Sequence, residues 1–449
     1  MAAQFLKVTD IEVTGNKRTK ENIILRELQF EVGERIQQSQ LAEVLDENRS
    51  NLLATGLFNE VILNVKEWDL ESEEIEVLII VTENPWIVPI PIFELADRNF
   101  NVWWNEFNAS FSRVNYGLKL ALLNAWGYGE RFKLTAQFGY TPKFEFSTLL
   151  PFLDNDQTVR LELKATYAVN KEIAVINAFN KKVFEAQPDE RVVFRRQNYR
   201  VGLIFRPAIF ATHVFRVGFA NNWIDEEHML QFNPDFFLDE RTRQRFVFAE
   251  YELRYDKRDL PILPTKGWLA GVNFYKNGFG FFNDISSTYI EPRFEIYHSF
   301  APRWIGGLSL RGKIGLERDK QPYYNYSGLG YGGNYIRGYE LFVADGMDFF
   351  LTKMSMQFKL WQSSINWKKI MPIKGMRAMP FAIYLAANYD TGYSNDPYYF
   401  NTNDFTNRWL HGGGIAVNIM IYNTAVFQIE CSVNHLGQKG VFLHSNTAF

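Results

Sequence analysis

The chain has 449 residues, a net charge of −3 and one cysteine, Cys431, which excludes an internal disulfide or a thiolate metal site and leaves no basic excess to hold a nucleic acid. No run of about 18 apolar residues offers a transmembrane helix. Aromatic residues make up 16% of the chain, with 40 Phe, 22 Tyr and 11 Trp, at a mean hydropathy of −0.22. That mixture fits a membrane β-barrel, whose lipid-facing and lumen-facing residues alternate and cancel in a hydropathy average. The opening MAAQFLK has no charged and apolar leader, so the sequence is expected to be either a mature or a cytoplasmic chain, and its composition leans towards mature.

LKVTDIEV, residues 6–13, alternates and predicts a strand; GNKR breaks the pattern. TKENIILREL predicts a helix with Thr19 as N-cap and Ile23, Ile24 and Leu28 on one stripe. A second helix is expected from Ser39, as cap, to about Thr55, with Leu41, Val44, Leu45, Leu52 and Leu53 at helical spacing and Gly56 as its stop. EVILNVKEW and EIEVLIIVTE close the unit as two strands joined by the acidic turn DLESE. The order β-α-α-β-β over 1–84 makes one complete small α/β domain. Through IEVTGNKRTKENIILRELQFEVGE, the TGLF after the second helix and a final strand ending VTENP, it resembles a POTRA domain. Such domains bind client strands or partner proteins along an exposed sheet edge, and the resemblance implies the same use here.

Helical signals stop at PWIVPIPIF, where Pro85, Pro89 and Pro91 read as a stiff extended connector over 85–98. From 99 to 449 the pattern has a period of two. Phe132, Leu134, Ala136 and Phe138 oppose Arg131, Lys133, Thr135 and Gln137, and Phe427, Ile429, Cys431 and Val433 oppose Gln428, Glu430, Ser432 and Asn434. Alternation alone fits a soluble sandwich equally well. Loop lengths separate the two, because the connections alternate between short turns, such as PAIFA, and long segments at 169–195, 225–245, 315–347 and 391–408. Trp103, Trp104, Trp126, Trp223, Trp268, Trp361, Trp367 and Trp409 fall near strand ends, as interfacial belts require. The expected fold is a transmembrane antiparallel β-barrel of about sixteen strands, preceded by the small α/β domain.

Within the longest connection lies YSGLGYGGNYIRGYE, centred on Arg337, Gly338 and Tyr339. Gly332, Gly333 and Gly338 let its backbone take positive φ and pass close to a wall. A lone Arg-Gly-Tyr recurs by accident, but its place between the eleventh and twelfth predicted strands, behind the N-terminal domain, resembles the BamA, TamA and FhaC superfamily of POTRA-plus-barrel proteins. The resemblance spans essentially the whole chain. It implies a loop at 315–347 folded into the lumen, with Arg337 packed on the thirteenth strand, LAANYDTGY, where Asp390 and Gly392 match the wall motif. Asn388 stands where the family has an aromatic that stacks on the guanidinium, and Gln357 where it often has a glutamate; Tyr335 or Tyr339 is expected to substitute for the missing ring. The ending on Phe449 matches the terminal-strand signal of bacterial barrels. The last strand, GVFLHSNTAF, carries Gly440 and a polar tract, so its seam with the first strand, expected within 99–113, should be weak.

The sequence offers no HExxH, GxSxG or phosphate-binding GxxxxGKS/T, so neither an enzyme nor a cofactor is expected. The resemblance implies outer-membrane assembly of client barrels or polypeptide translocation, through a seam that opens sideways and a plugging loop. The alternative is an accessory subunit or passive pore. Implied partners are the outer-membrane bilayer, unfolded client polypeptides and other subunits docking on the N-terminal domain, which would lie in the periplasm; no nucleic acid is expected.

Overall fold

The computed structural model describes residues 4–69, 72–97, 99–186, 191–366, 378–422 and 425–447. The N-terminal domain is a four-stranded sheet in the order Arg35–Gln37, Phe5–Thr14, Glu74–Glu83, Phe58–Asp69. Phe5–Thr14 and Glu74–Glu83 run parallel and the outer strands antiparallel to them. Alternation turns Leu6, Val8, Ile75, Val77, Ile79 and Val81 to one side, where they join Ile23 and Ile24 of helix Glu21–Leu25 and Leu41 and Leu52 of helix Leu41–Ala54 in one buried cluster. Burying a side chain of this kind stabilises by about 1.5–3 kcal/mol.

Three details differ from the sequence expectation. A short strand, Arg35–Gln37, lies between the helices. Neither Thr19 nor Ser39 caps a helix. Thr19 donates its hydroxyl to Glu83 Oε1 at 2.6 Å, its backbone N–H goes to the same oxygen, and its hydroxyl oxygen accepts from Asn124 Nδ2, so the hydroxyl is engaged away from the helix. Ser39 sits inside a 3₁₀ turn, Gln38–Gln40, that runs into the second helix.

Among the described residues the rest of the chain is built on one antiparallel sheet with sixteen strands in chain order, and a separate two-stranded hairpin, Glu172–Ala178 with Lys181–Ala186, lies in the connection after the fifth of them. The first strand of the sheet is Ile87–Leu95, inside the stretch expected as a connector, and it pairs with Val114–Leu123. The stretch 99–113, expected to hold the first strand, instead forms helix Phe100–Glu106 and a 3₁₀ turn at Phe111–Arg113. The prolines were misleading because a proline breaks a ladder only where its N–H is needed. Leu123 N donates to Trp86 O and Ala96 N to Arg113 O, so even-numbered residues face the second strand, and Pro89 and Pro91 face the open side.

Polarity is inverted relative to a soluble core. Leu134, Phe144, Phe215, Val217, Ile415 and Leu443 are exposed on the outside, while Thr135, Gln137, Glu295, Asn418 and Glu430 are buried inside, the pattern of a barrel with a polar lumen in a lipid surround. Among the described residues no helix is long and apolar enough to cross a membrane. The lumen wall is laced with ions: Arg216 meets Glu162, Glu250 and Glu252, and Glu295 meets Arg258, Arg293 and Arg311. Most of the long turn expected at 362–374 lies outside the described residues, as do Trp367 and Phe449.

Candidate functional site in the barrel lumen

The eleventh strand, Trp304–Gly315, and the twelfth, Asp348–Asn366, are joined by a long loop. The loop turns into the barrel because its apolar residues have a pocket there. Leu329, Ile336, Tyr339 and Ala344 are buried with Phe349 and Leu351 of the twelfth strand and with Phe405 and Leu410. Leu329 and Ala344 exchange backbone hydrogen bonds and draw the loop into a narrow fold.

Arg337 stands at the inner end of that fold, 8% exposed. Its Nη1 lies 2.5 Å from Asp390 Oδ1 of the thirteenth strand, Ala378–Asn395, and its own backbone N–H donates to Asp390 Oδ2 at 3.2 Å. Its Nε lies 2.6 Å from Glu430 Oε1 on the fifteenth strand, Ala425–Asn434. Lys353 Nζ approaches Asp390 Oδ2 at 3.6 Å, so two cations and two carboxylates face each other. Both carboxylates are fully buried. A cluster that sums to zero charge offsets the desolvation of its members, whereas removing one leaves its partner buried and uncompensated.

Glu430 was missed as a partner. Its alternation on the polar face was visible, but which strand it reaches across the lumen was not. Among the described residues no ring lies over the Arg337 guanidinium. Tyr335 lies under Lys353, with Nζ 3.6 Å from the ring centroid, and stacks on His444 of the last strand. Tyr339 packs edge-on against Phe405, and its hydroxyl meets His435 Nδ1. The second carboxylate thus occupies the role expected of an aromatic, and Asn388 serves it by donating to Glu430 Oε1 at 3.5 Å. Gln357 is buried without joining the cluster.

Glycines make the close approach possible. Gly338 has φ +79°, and a Cβ there would sit 2.6 Å from Asn434 N; Asn434 Nδ2 in turn donates to Gly338 O at 3.0 Å. A Cβ at Gly392 would sit 2.8 Å from Ile336 Cδ1, and one at Gly412, on the fourteenth strand, would collide with the carbonyl oxygen of Arg337. Gly332 takes φ +53°, but Gly333 does not take positive φ. Its carbonyl accepts from Arg311 Nη1 at 3.3 Å instead.

Beside the loop runs the seam between the first strand and the sixteenth, Lys439–Thr447. Among the described residues no ladder joins them. Helix Phe100–Glu106 packs on the sixteenth strand instead, and the Asn101 side-chain amide donates to Val441 O. Asn99, which caps the helix by accepting from Val102 N at 2.9 Å, donates to the carbonyl of Glu340 at 2.5 Å. Glu340 itself reaches within 3.9 Å of His444 Nε2. The loop motif therefore touches both sides of the seam.

At the end of the barrel next to the N-terminal domain, the turn 257–266 tucks Leu260, Ile262 and Leu263 against Ile305, Tyr384 and Met420. Domain and barrel meet there. Arg206 holds Glu27 with both Nη atoms, at 2.7 and 2.9 Å, and Asn124 Nδ2 donates to Thr19 Oγ1 at 2.8 Å. In the nearby turn Asp154 accepts from the Thr158 hydroxyl and from the backbone of Thr158 and Val159, which holds its carboxyl down to about 2.

A POTRA-plus-barrel architecture of the outer-membrane type is thus complete. A family model described as "POTRA: Surface antigen variable number repeat" matches residues 6–84, and one described as "Omp85 superfamily domain" matches residues 124–346. The chain belongs to the Omp85 superfamily of POTRA-plus-β-barrel proteins, outer-membrane barrels of polypeptide assembly and translocation. No curated protein matches the chain. Among solved structures, CdiB from Escherichia coli is similar with TM-score 0.51 at 10% identity, over 99% of this chain and 91% of that one. CdiB from Acinetobacter baumannii gives TM-score 0.51 at 9% identity, over 98% and 74%. BamA from Haemophilus ducreyi lacking POTRA domains 1–3 gives 0.48 at 14%, over 98% and 84%. At these identities the likeness is one of fold.

Proposed function

We propose that this protein assembles β-barrel clients in the outer membrane through its seam, with the N-terminal domain in the periplasm receiving unfolded polypeptides or partner subunits along its edge strand, Phe58–Asp69. The observation that carries the reading is that, among the described residues, no ladder joins the first and last strands, directly beside a loop held in the lumen. An open edge at membrane depth leaves backbone groups unpaired, which hydrocarbon penalises and an added strand relieves. Arg337, Gly338 and Tyr339 on the loop, with Asp390 and Gly392 on the wall, form the lock that keeps the lumen filled while the seam works. The chemistry needs no cofactor, since strand addition is driven by hydrogen bonding and burial alone.

Reconstitution into liposomes tests this. An unfolded client barrel added outside should become protease-resistant and membrane-inserted faster than with empty liposomes, while ion conductance stays low. High conductance without insertion would identify a passive pore, and neither activity would identify an accessory subunit; both outcomes overturn the proposal.

A further inference from the structure

Between the N-terminal domain and the mouth of the barrel lies a cavity of about 700 Å³, a size that suits a small-molecule ligand. One wall is helix Glu21–Leu25 with the end of helix Leu41–Ala54, and the other is the lumen face of the barrel strands that carry Arg131, Arg160 and Arg206. Nine cationic side chains and six carboxylates line it. The carboxylates are engaged or stand apart. Glu27 takes both Nη atoms of Arg206, Glu252 meets Arg216, Asp256 meets Arg258, and Asp259 accepts from the hydroxyl and backbone of Thr265. Glu43 and Glu47 are exposed on their helix.

Arg131 and Arg160 have no carboxylate in ion-pair contact among the described residues. Arg131 Nη2 donates to Thr55 O at 2.8 Å, while Arg160 gives Nε to Leu150 O at 2.9 Å and Nη2 to Gly129 O at 2.8 Å. Both side chains are half-buried, and carbonyls alone leave their charges uncompensated. Glu130 and Asp154 are held by backbone N–H groups of their own turns. A Cβ at Gly56 would sit 3.9 Å from Arg131 Nη2, and one at Gly129 would sit 3.8 Å from both Arg160 Nη1 and Leu57 Cδ1. Both forks therefore end beside the turn at 55–57. Arg26 of the domain joins them, since its Cζ and that of Arg160 lie 4.3 and 4.7 Å from the centroid of one ring, Phe152. Arg26 Nε, 3.4 Å from Glu27 Oε1, is buried and makes no hydrogen bond.

We infer that this cavity binds a soluble ligand through a phosphate or diphosphate group, seated on Arg131 and Arg160 of the barrel and Arg26 of the domain. Each barrel fork uses only one or two of its five donors on carbonyls. The free donors match the oxygens of a phosphate bidentately, and a dianion offsets both unpaired charges. The ligand comes from solution and not from lipid, because Arg131 lies on the polar lumen face of a strand whose Leu134 is exposed on the opposite, outer side. It touches both parts of the molecule and so pins the domain to the barrel mouth. The inference stands apart from the assembly function proposed above.

The test titrates inorganic pyrophosphate into the full chain in dodecyl maltoside, at fixed ionic strength, by calorimetry. Binding should be saturable. Arg131→Gln and Arg160→Gln should each weaken it by roughly tenfold or more, the factor expected for a lost charge-assisted hydrogen bond. Arg243→Gln, at the far end of its strand, should leave it unchanged. Where gel mobility without heating shows that a glutamine variant has not folded, Arg131→Lys or Arg160→Lys keeps the charge, loses the fork and should still weaken binding severalfold. Arg26→Gln should weaken it as well; unchanged affinity there would confine the ligand to the barrel and overturn the pinning. In phosphatidylcholine liposomes the affinity should be the same whether surface charge is supplied by phosphatidic acid or, at matched charge, by phosphatidylserine. Weaker binding with phosphatidic acid alone would identify a lipid headgroup as the ligand and overturn the soluble source. No saturable binding, or an affinity untouched by the Arg131 and Arg160 variants, would overturn the site.

Discussion

Arg337 reaches the wall through two carboxylates at 2.5 and 2.6 Å, a backbone hydrogen bond and a glycine-lined approach. The first and sixteenth strands, in contrast, are linked through a short helix and one side-chain amide. The loop is thus held by dense, charge-balanced contacts and the two ends of the sheet by sparse ones. A buried ion cluster contributes little net stability but is intolerant of losing a member, so it fixes where the loop sits. A seam with few backbone bonds can part without disturbing that position. The comparison teaches that the loop and the seam can be perturbed separately, although both are touched by Asn99, Glu340 and His444.

The largest expected effect breaks the dense side. Arg337→Ala leaves Asp390 and Glu430 buried with only Lys353 nearby, which should cost about 3–5 kcal/mol in holding the loop. Limited proteolysis of the folded barrel should then cleave between 330 and 340, where the native chain resists. Equal resistance in both would show that the apolar contacts of Leu329, Ile336 and Tyr339 hold the loop by themselves.

A smaller effect comes from steric intrusion. Gly412→Ala places a methyl group against the Arg337 carbonyl; overpacking of this kind costs about 1–3 kcal/mol. Cleavage of the loop should rise, though less than in Arg337→Ala, while disulfide cross-linking between cysteines placed on the two sides of the seam is the same with and without the substitution. A parallel rise in seam cross-linking would show that loop and seam are one cooperative unit.

The smallest effect touches neither. The Asp154 carboxyl is held down to about 2 against an ordinary value near 3.8, so its contribution to the turn is complete above about pH 4 and is lost as pH falls towards 2. Amide exchange at Thr158 and Val159 should quicken over that range, and Asp154→Asn should remove the pH dependence. Loop cleavage compared between the native chain and Asp154→Asn at neutral pH should be the same.

Much of the fold was legible because period and punctuation carry it. The alternation of Phe132 to Phe138, and of Phe427 to Val433, reflects a wall with lipid on one side and a polar lumen on the other. The helical stripes of Ile23, Ile24, Leu41 and Leu52 reflect a small domain with one core. The loop motif was legible as a resemblance, together with its wall partner Asp390. The first strand was not, because Pro89 and Pro91 look like strand breakers until the side of the ladder they face is known. Thr19 and Ser39 looked like caps because local chemistry favours them, and distant Glu83 decided otherwise for Thr19. The missing aromatic at Asn388 gave no sign that a carboxylate from another strand would take its role.

The sequence by itself determined the two-part architecture, the barrel class and the identity of the residue at the loop tip, since periodicity and short motifs are local properties of the chain. Only the tertiary structure decided that Glu430 shares Arg337 with Asp390, that a helix occupies the seam and that the prolines face it. Each of these depends on which strands stand beside or across from one another, and register over more than three hundred residues is set by the packing of the whole barrel and not by any stretch of it.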